Sequence, residues 1–167
     1  MDLQPLIEAS LPVRLHVAAV LPAIILSPVL LLGRKGTRRH RLLGRIWLAA
    51  MVLTASTALF IHEIRLLGPF SPIHLLSVLT LSTCWVIIRS ARAGRVAAHR
   101  SAVLSLVWLA LVGAGAFTLV PGRIMHQVML TPQPWTGGAI LAVIAAMLVV
   151  LAWHPASSPF RRPKGLA

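Results

Sequence analysis

Five apolar stretches, at about 12–33, 43–64, 71–90, 101–121 and 135–153, each approach the length that a helix needs to cross a bilayer, roughly 20 residues. Inside hydrocarbon every backbone N–H and C=O must find its partner within the segment, so a run of this kind has to be helical. The fold class that follows is all-α: a polytopic membrane helix bundle with five transmembrane helices. Composition points the same way. The chain has 167 residues, of which 57% are hydrophobic and 11% charged, whereas a soluble domain is about half apolar and about a quarter charged. Pro22 and Pro28 interrupt the first stretch and predict a kink in it. The second and third stretches are short once charges and histidines are set aside, running from Ile46 to Ile61 and from Leu75 to Ile88. Their ends must therefore reach the headgroups.

Charge orients the helices. The turn after the first carries Arg34, Lys35, Arg38, Arg39, Arg41 and Arg45. The turn between the third and fourth carries Arg89, Arg92, Arg95 and Arg100, and the final stretch carries Arg161, Arg162 and Lys164. Those are 13 of the 16 basic residues, all on one side. Arg14, Arg65 and Arg123 fall on the other side, with all three acids, Asp2, Glu8 and Glu63. The positive-inside rule places the first set in the cytoplasm, with the N-terminus outside and the C-terminus inside. Trp47 and Trp153 then fall near the inner boundary and Trp135 near the outer one, where interfacial anchors belong. The net charge of +13 does not indicate nucleic acid, because the charges lie in short loops between apolar runs. They are better placed to meet anionic lipid at the cytoplasmic face. The opening residues lack the basic region of a secretory signal, so the first apolar run is expected to stay as a helix.

A motif occurs twice within this frame. His16 is followed after nineteen residues by Gly36, then after three more by His40-Arg41. His74 is followed after nineteen residues by Gly94, then after four more by His99-Arg100. The repeat reads as a duplicated transmembrane hairpin. It divides the chain into a short exterior segment (1–11), a four-helix core of two hairpins (12–124), and an exterior loop, fifth helix and basic tail (125–167). Small residues gather at Thr54-Ala55-Ser56-Thr57-Ala58 and Gly113-Ala114-Gly115-Ala116. They allow helices to approach closely or leave room for a flat ligand.

Two like-oriented hairpins set His16 level with His74 at one face and His40 level with His99 at the other. Neutral imidazoles facing each other across a bundle can ligate haem iron from both sides, and such a bis-His set suits electron transfer. Arg14, Arg41 and Arg100 lie beside these pairs and have the bidentate donors that propionates take. Haem b is thus the expected cofactor, with quinone as its membrane partner. Other metal or quinone-linked roles are open too, as is a purely structural one, since interfacial histidines need no partner. His62, His126 and His154 lie outside the repeat and read as interfacial. Three exterior carboxylates offer no intramembrane acid pair. No phosphate loop, His-Glu-x-x-His motif or plausible triad is present. A lone Cys84 precludes an intramolecular disulfide, and without Cys-x-x-Cys-His no c-type haem can be attached.

Four blocks carry a resemblance. Gly36-Thr37-Arg38-Arg39-His40-Arg41-Leu42-Leu43-Gly44-Arg45-Ile46-Trp47, Ser71-Pro72-Ile73-His74-Leu75-Leu76-Ser77, His99-Arg100 and Phe117-Thr118-Leu119-Val120-Pro121-Gly122-Arg123 resemble a family of bacterial predicted membrane proteins of unknown function, over about residues 12–126. The resemblance implies a multi-pass membrane protein and brings no activity. In arrangement the chain also looks like the small di-haem b-type cytochromes of bacterial membranes. The resulting expectation is a protein of the bacterial inner membrane carrying electrons between quinone and a redox partner, with no enzymatic activity assigned. The alternative is a non-catalytic accessory or assembly subunit of a larger membrane complex, contacting partner helices and lipid. A transporter is less well served by so few intramembrane polar groups.

Overall fold

The computed structural model describes residues 3–61 and 72–130. Among them every regular element is a helix: α1 (Gln4–Ile7), α2 (Leu11–Leu32), α3 (Arg38–Ala58), α4 (Pro72–Arg92), α5 (Val96–Phe117) and α6 (Ile124–Leu130). Three of them, Leu11–Leu32, Ile73–Arg92 and Val96–Phe117, are long and apolar enough to span a membrane. The stretch expected at 135–153 lies outside the described residues. α3 is the exception within the core. Its 21 residues make it roughly 31 Å long, but Arg38, Arg39, Arg41 and Arg45 crowd its beginning. It lies between α2 and α4 and packs on both, while these four arginines stay exposed.

α2 packs on α3, α3 on α4, and α4 on α5, while the middle of α5 also touches α2 and closes the ring. The turns after α2 and α4 share one end, which we call the basic end. Each turn holds a glycine in the left-handed region, Gly36 at φ +77° and Gly94 at φ +67°. The two repeated glycines therefore do the same conformational work. Thr37 caps α3 by accepting the His40 backbone N–H at 3.1 Å, and the Arg41 guanidinium donates to the Gly36 carbonyl at 2.7 Å.

α2 runs unbroken through Pro22 and Pro28. Polar groups beside Pro28 are gathered by a partner helix: the Trp47 indole N–H donates to the Ala23 carbonyl at 3.1 Å and to Ser27 Oγ at 2.9 Å. Ser27 Oγ in turn donates to the same carbonyl at 2.7 Å. Trp47 is 2% exposed, so it is an interior lock between α2 and α3 and not the interfacial anchor expected from its depth. It heads a core that also draws on Leu30, Met51, Cys84, Ile87, Leu106 and Val107, one layer from each helix. Outward-facing positions such as Ile25, Val29, Leu75, Val86 and Leu109 are exposed and apolar. A surface like this suits acyl chains and would be a liability in water.

α5 is not uniform. Leu106–Gly113 winds as a π-helix between α-helical Val96–Ser105 and Ala114–Phe117. The Gly113-to-Ala116 cluster lies in its last two turns and stays exposed or half-buried. In contrast Thr54, Ala55, Thr57 and Ala58 of α3 are buried. Of the two small-residue clusters, only the one on α3 is used for packing among the described residues.

Candidate functional site: two histidines held by one device

The end opposite the basic turns is polar inside. His16 lies on α2, and its Nδ1 sits 2.9 Å from the Thr54 carbonyl of α3. A carbonyl can only accept, so Nδ1 carries the proton and Nε2 keeps its lone pair. Thr57 Oγ1 lies 3.4 Å from the same Nδ1 and donates to Leu53 O at 2.8 Å and Thr54 O at 3.0 Å. Thus the imidazole and a hydroxyl one turn on share one backbone carbonyl.

The same device recurs at the basic end. His99 opens α5, and its Nδ1 lies 3.2 Å from the Ile87 carbonyl of α4. Ser90, three residues after Ile87, donates to Val86 O at 2.7 Å and to Ile87 O at 3.1 Å. In both places the histidine is tied to carbonyl X of a neighbouring helix. In both, a hydroxyl at X+3 bridges carbonyls X−1 and X. One member of each repeated pair therefore has its ring oriented and its Nε2 left as the basic nitrogen.

The other two histidines of the repeat lie at the same two ends. His74 is buried in the first turn of α4. His40 sits in the first turn of α3, half-buried, and its pKa is lowered from 6.5, first by burial and then by the nearby His99 and Lys35. Arg14, Arg41 and Arg100 are exposed, so the structure keeps them at the periphery. His126 is half-buried on α6, while His62 and His154 lie outside the described residues. No group of three or more His, Cys, Asp or Glu gathers among the described residues.

Sequence reading missed the hydroxyls around His16 and His74. Thr54, Thr57, Ser77 and Thr80 are all buried. Thr54 Oγ1 has no hydrogen-bond partner, although Thr54 is only 9% exposed. Their signal was available in spacing: His74, Ser77, Thr80, Cys84 and Ile87 recur every three or four residues, as do Trp47, Met51, Thr54 and Thr57. Each face changes from apolar to polar toward the end that bears His16 and His74.

This layout of apolar-faced helices around buried polar levels is that of a membrane protein, and a family comparison decides the matter. The family model described as a predicted membrane protein (DUF2306) matches residues 13–155. The chain belongs to this family. It is accordingly a multi-pass membrane protein of a family without an assigned function, and the match spans nearly all of α2, all of α3 to α6, and the stretch at 135–153. No curated protein and no solved structure matches it.

Proposed function

We propose that this member of the family is a redox carrier of the bacterial cytoplasmic membrane, holding haem b between His16 and His74 and a second haem b between His40 and His99. The observation that carries this reading is the repeated device around His16 and His99. Histidines that ligate metals characteristically donate their other ring N–H to a carbonyl or carboxylate, which fixes tautomer and ring orientation. A histidine serving only as an interfacial side chain has no need of it. The donor set proposed for haem is four imidazoles at two levels, with Arg14, Arg41 and Arg100 beside three of them in sequence for the propionates. Haem held by these imidazoles would supply one-electron transfer.

The rest of the proposed arrangement follows the charge pattern. The basic end lies in the cytoplasm, where it also meets anionic lipid, the N-terminus lies outside, and the stretch at 135–153 forms a fifth span. Quinone in the bilayer is the proposed partner on the membrane side. A second reading, a non-catalytic subunit of a larger complex, is favoured by the filled axis between the two histidine levels, where Trp47 and Met51 are 2% and 1% exposed. A visible spectrum of the purified protein, expressed with ample haem supply and taken before and after reduction, separates the two. A Soret band with reducible α-bands is expected. Its absence, with no bound transition metal, transfers the assignment to the accessory subunit.

A further inference from the structure

We propose that the cleft between α4 and the π-helical part of α5 seats the ring of a quinone dissolved in the bilayer. This deepens the redox reading by naming where its membrane-soluble partner sits. Only the electron's destination rests on that reading; the binding does not.

The cleft has a volume of about 120 Å³ and is lined by Leu76, Leu79, Thr80, Thr83, Ser105 and Leu109, among others. Engineered apolar cavities of roughly 150 Å³ take up benzene, whereas sites for larger ligands measure roughly 300–1,000 Å³. The space is therefore scaled to a single ring. Its mouth is set by access: Leu79 is 47% and Leu109 51% exposed, and both belong to membrane-spanning helices. A ligand must arrive through lipid, and a long apolar tail could remain there. The wall contributed by α5 includes Leu106, Leu109 and Ala110, all within the π-helical segment. Such wide turns displace side chains from the α-helical register and recur at functional sites.

The hydroxyls give the cleft its chemistry. On α4, Ser77, Ser82, Thr83 and Ser90 each donate to the carbonyl four residues back. Thr80 alone among the hydroxyl residues of α4 makes no such bond, although it is 4% exposed. Its oxygen is not fully enclosed by protein and lines the cleft, so its O–H is a donor for an acceptor seated there. Thr83 and Ser105 already donate, to Leu79 O and Ala102 O, and so present only lone pairs. One donor and two acceptors around a ring-sized apolar slot match a quinone carbonyl and, after reduction, a quinol hydroxyl. An acyl chain would leave Thr80 unpartnered. A charged ligand finds no counter-charge, since none of the lining residues is ionisable. Thr80 lies six residues beyond His74 on the same helix, roughly 9 Å along its axis.

The test uses the full chain in nanodiscs, titrated with a quinone bearing one isoprenoid unit and followed by quenching of Trp85 and Trp108 fluorescence. Empty nanodiscs containing a membrane-soluble indole give the baseline for partitioning. Saturable quenching is expected for the unaltered chain. Thr80→Val, which keeps the shape and removes the hydroxyl, should weaken binding about fivefold, and Thr80→Ser should retain it. Ala110→Phe, which fills the cleft, should abolish saturation. Ser82→Ala, outside the cleft, should change nothing. Equal quenching by the unaltered chain, Thr80→Val and Ala110→Phe means quinone in the bilayer only and overturns the proposal. Because Thr80→Val and Thr80→Ser are both conservative, a folding defect cannot imitate the contrast between them. A haem-bearing protein that fails to bind quinone overturns the cleft alone. A colourless protein that binds it through Thr80 upholds the cleft and overturns the haem.

Discussion

His16 ties its Nδ1 to a carbonyl that does not depend on it. The Thr54 carbonyl also accepts from Thr57 Oγ1, so removal of the imidazole leaves no orphaned acceptor. His16→Ala should therefore cost only about 1 kcal/mol in unfolding by detergent titration, the usual scale for an interhelical hydrogen bond in a membrane. On the haem reading the same variant should lose about half of the bound porphyrin. A second loss from the same pair, His74→Ala, should add nothing, because the two ligands act as a unit. A large loss of stability with unchanged porphyrin would make His16 a structural residue. Trp47 presents the opposite case. Its indole links Ala23 O and Ser27 Oγ across two helices. Trp47→Phe should cost about 1–2 kcal/mol from the lost donor, and Trp47→Ala about 3–5 kcal/mol from the cavity it leaves. Both are measurable by the same titration. The depth of Trp47 was legible in the sequence, but its direction was not. Rotation about a helix axis depends on what the neighbouring helix offers, and the offer here was the polar backbone beside Pro28.

At the scale of elements, the two repeated turns are the best test of the duplication. A Cβ built at Gly36 or Gly94 meets nothing within 4 Å, so the cost of a side chain there is purely conformational. Gly36→Ala and Gly94→Ala should each destabilise by about 1–2 kcal/mol, with Asn less harmful, as its short polar side chain tolerates this region. Equal costs at both sites, read from detergent unfolding, would express the equivalence of the two hairpins. Helix limits were legible to within a few residues where apolar runs and basic turns alternate, as at Leu11–Leu32 and Pro72–Arg92. α3 and α5 start earlier than their apolar runs, at Arg38 and Val96. Helical hydrogen bonding continues into headgroup depth, where charged side chains remain solvated. The π-helical turns of α5 had no signature, because the run from Leu106 to Gly113 suits an α-helix equally well.

For the whole molecule, the duplicated turns must emerge on one side of the membrane. With Cys84→Ala as background, cysteines at Lys35 and Arg92 should both resist an impermeant thiol reagent in intact cells and react after permeabilisation. A cysteine at Ser10, at the other end of α2, should react in intact cells. Labelling of Lys35→Cys but not Ser10→Cys in intact cells would invert the proposed orientation. Divergent behaviour of the two turns would break the hairpin repeat itself.

The sequence by itself determined that this chain is helical and that its helices cross a membrane. Those properties depend on segment length, backbone hydrogen bonding in hydrocarbon and charge at the segment ends, all of which are local. It also marked His16, His40, His74 and His99 by their spacing. Only the tertiary structure decided which backbone carbonyls hold His16 and His99, that Trp47 faces inward, and that Thr80 lines a cleft without the bond to its own helix that the other hydroxyls of α4 make. Each of these depends on the rotation and register of one helix against the next. That choice is made by side-chain packing between segments far apart in the chain, and no single segment contains it.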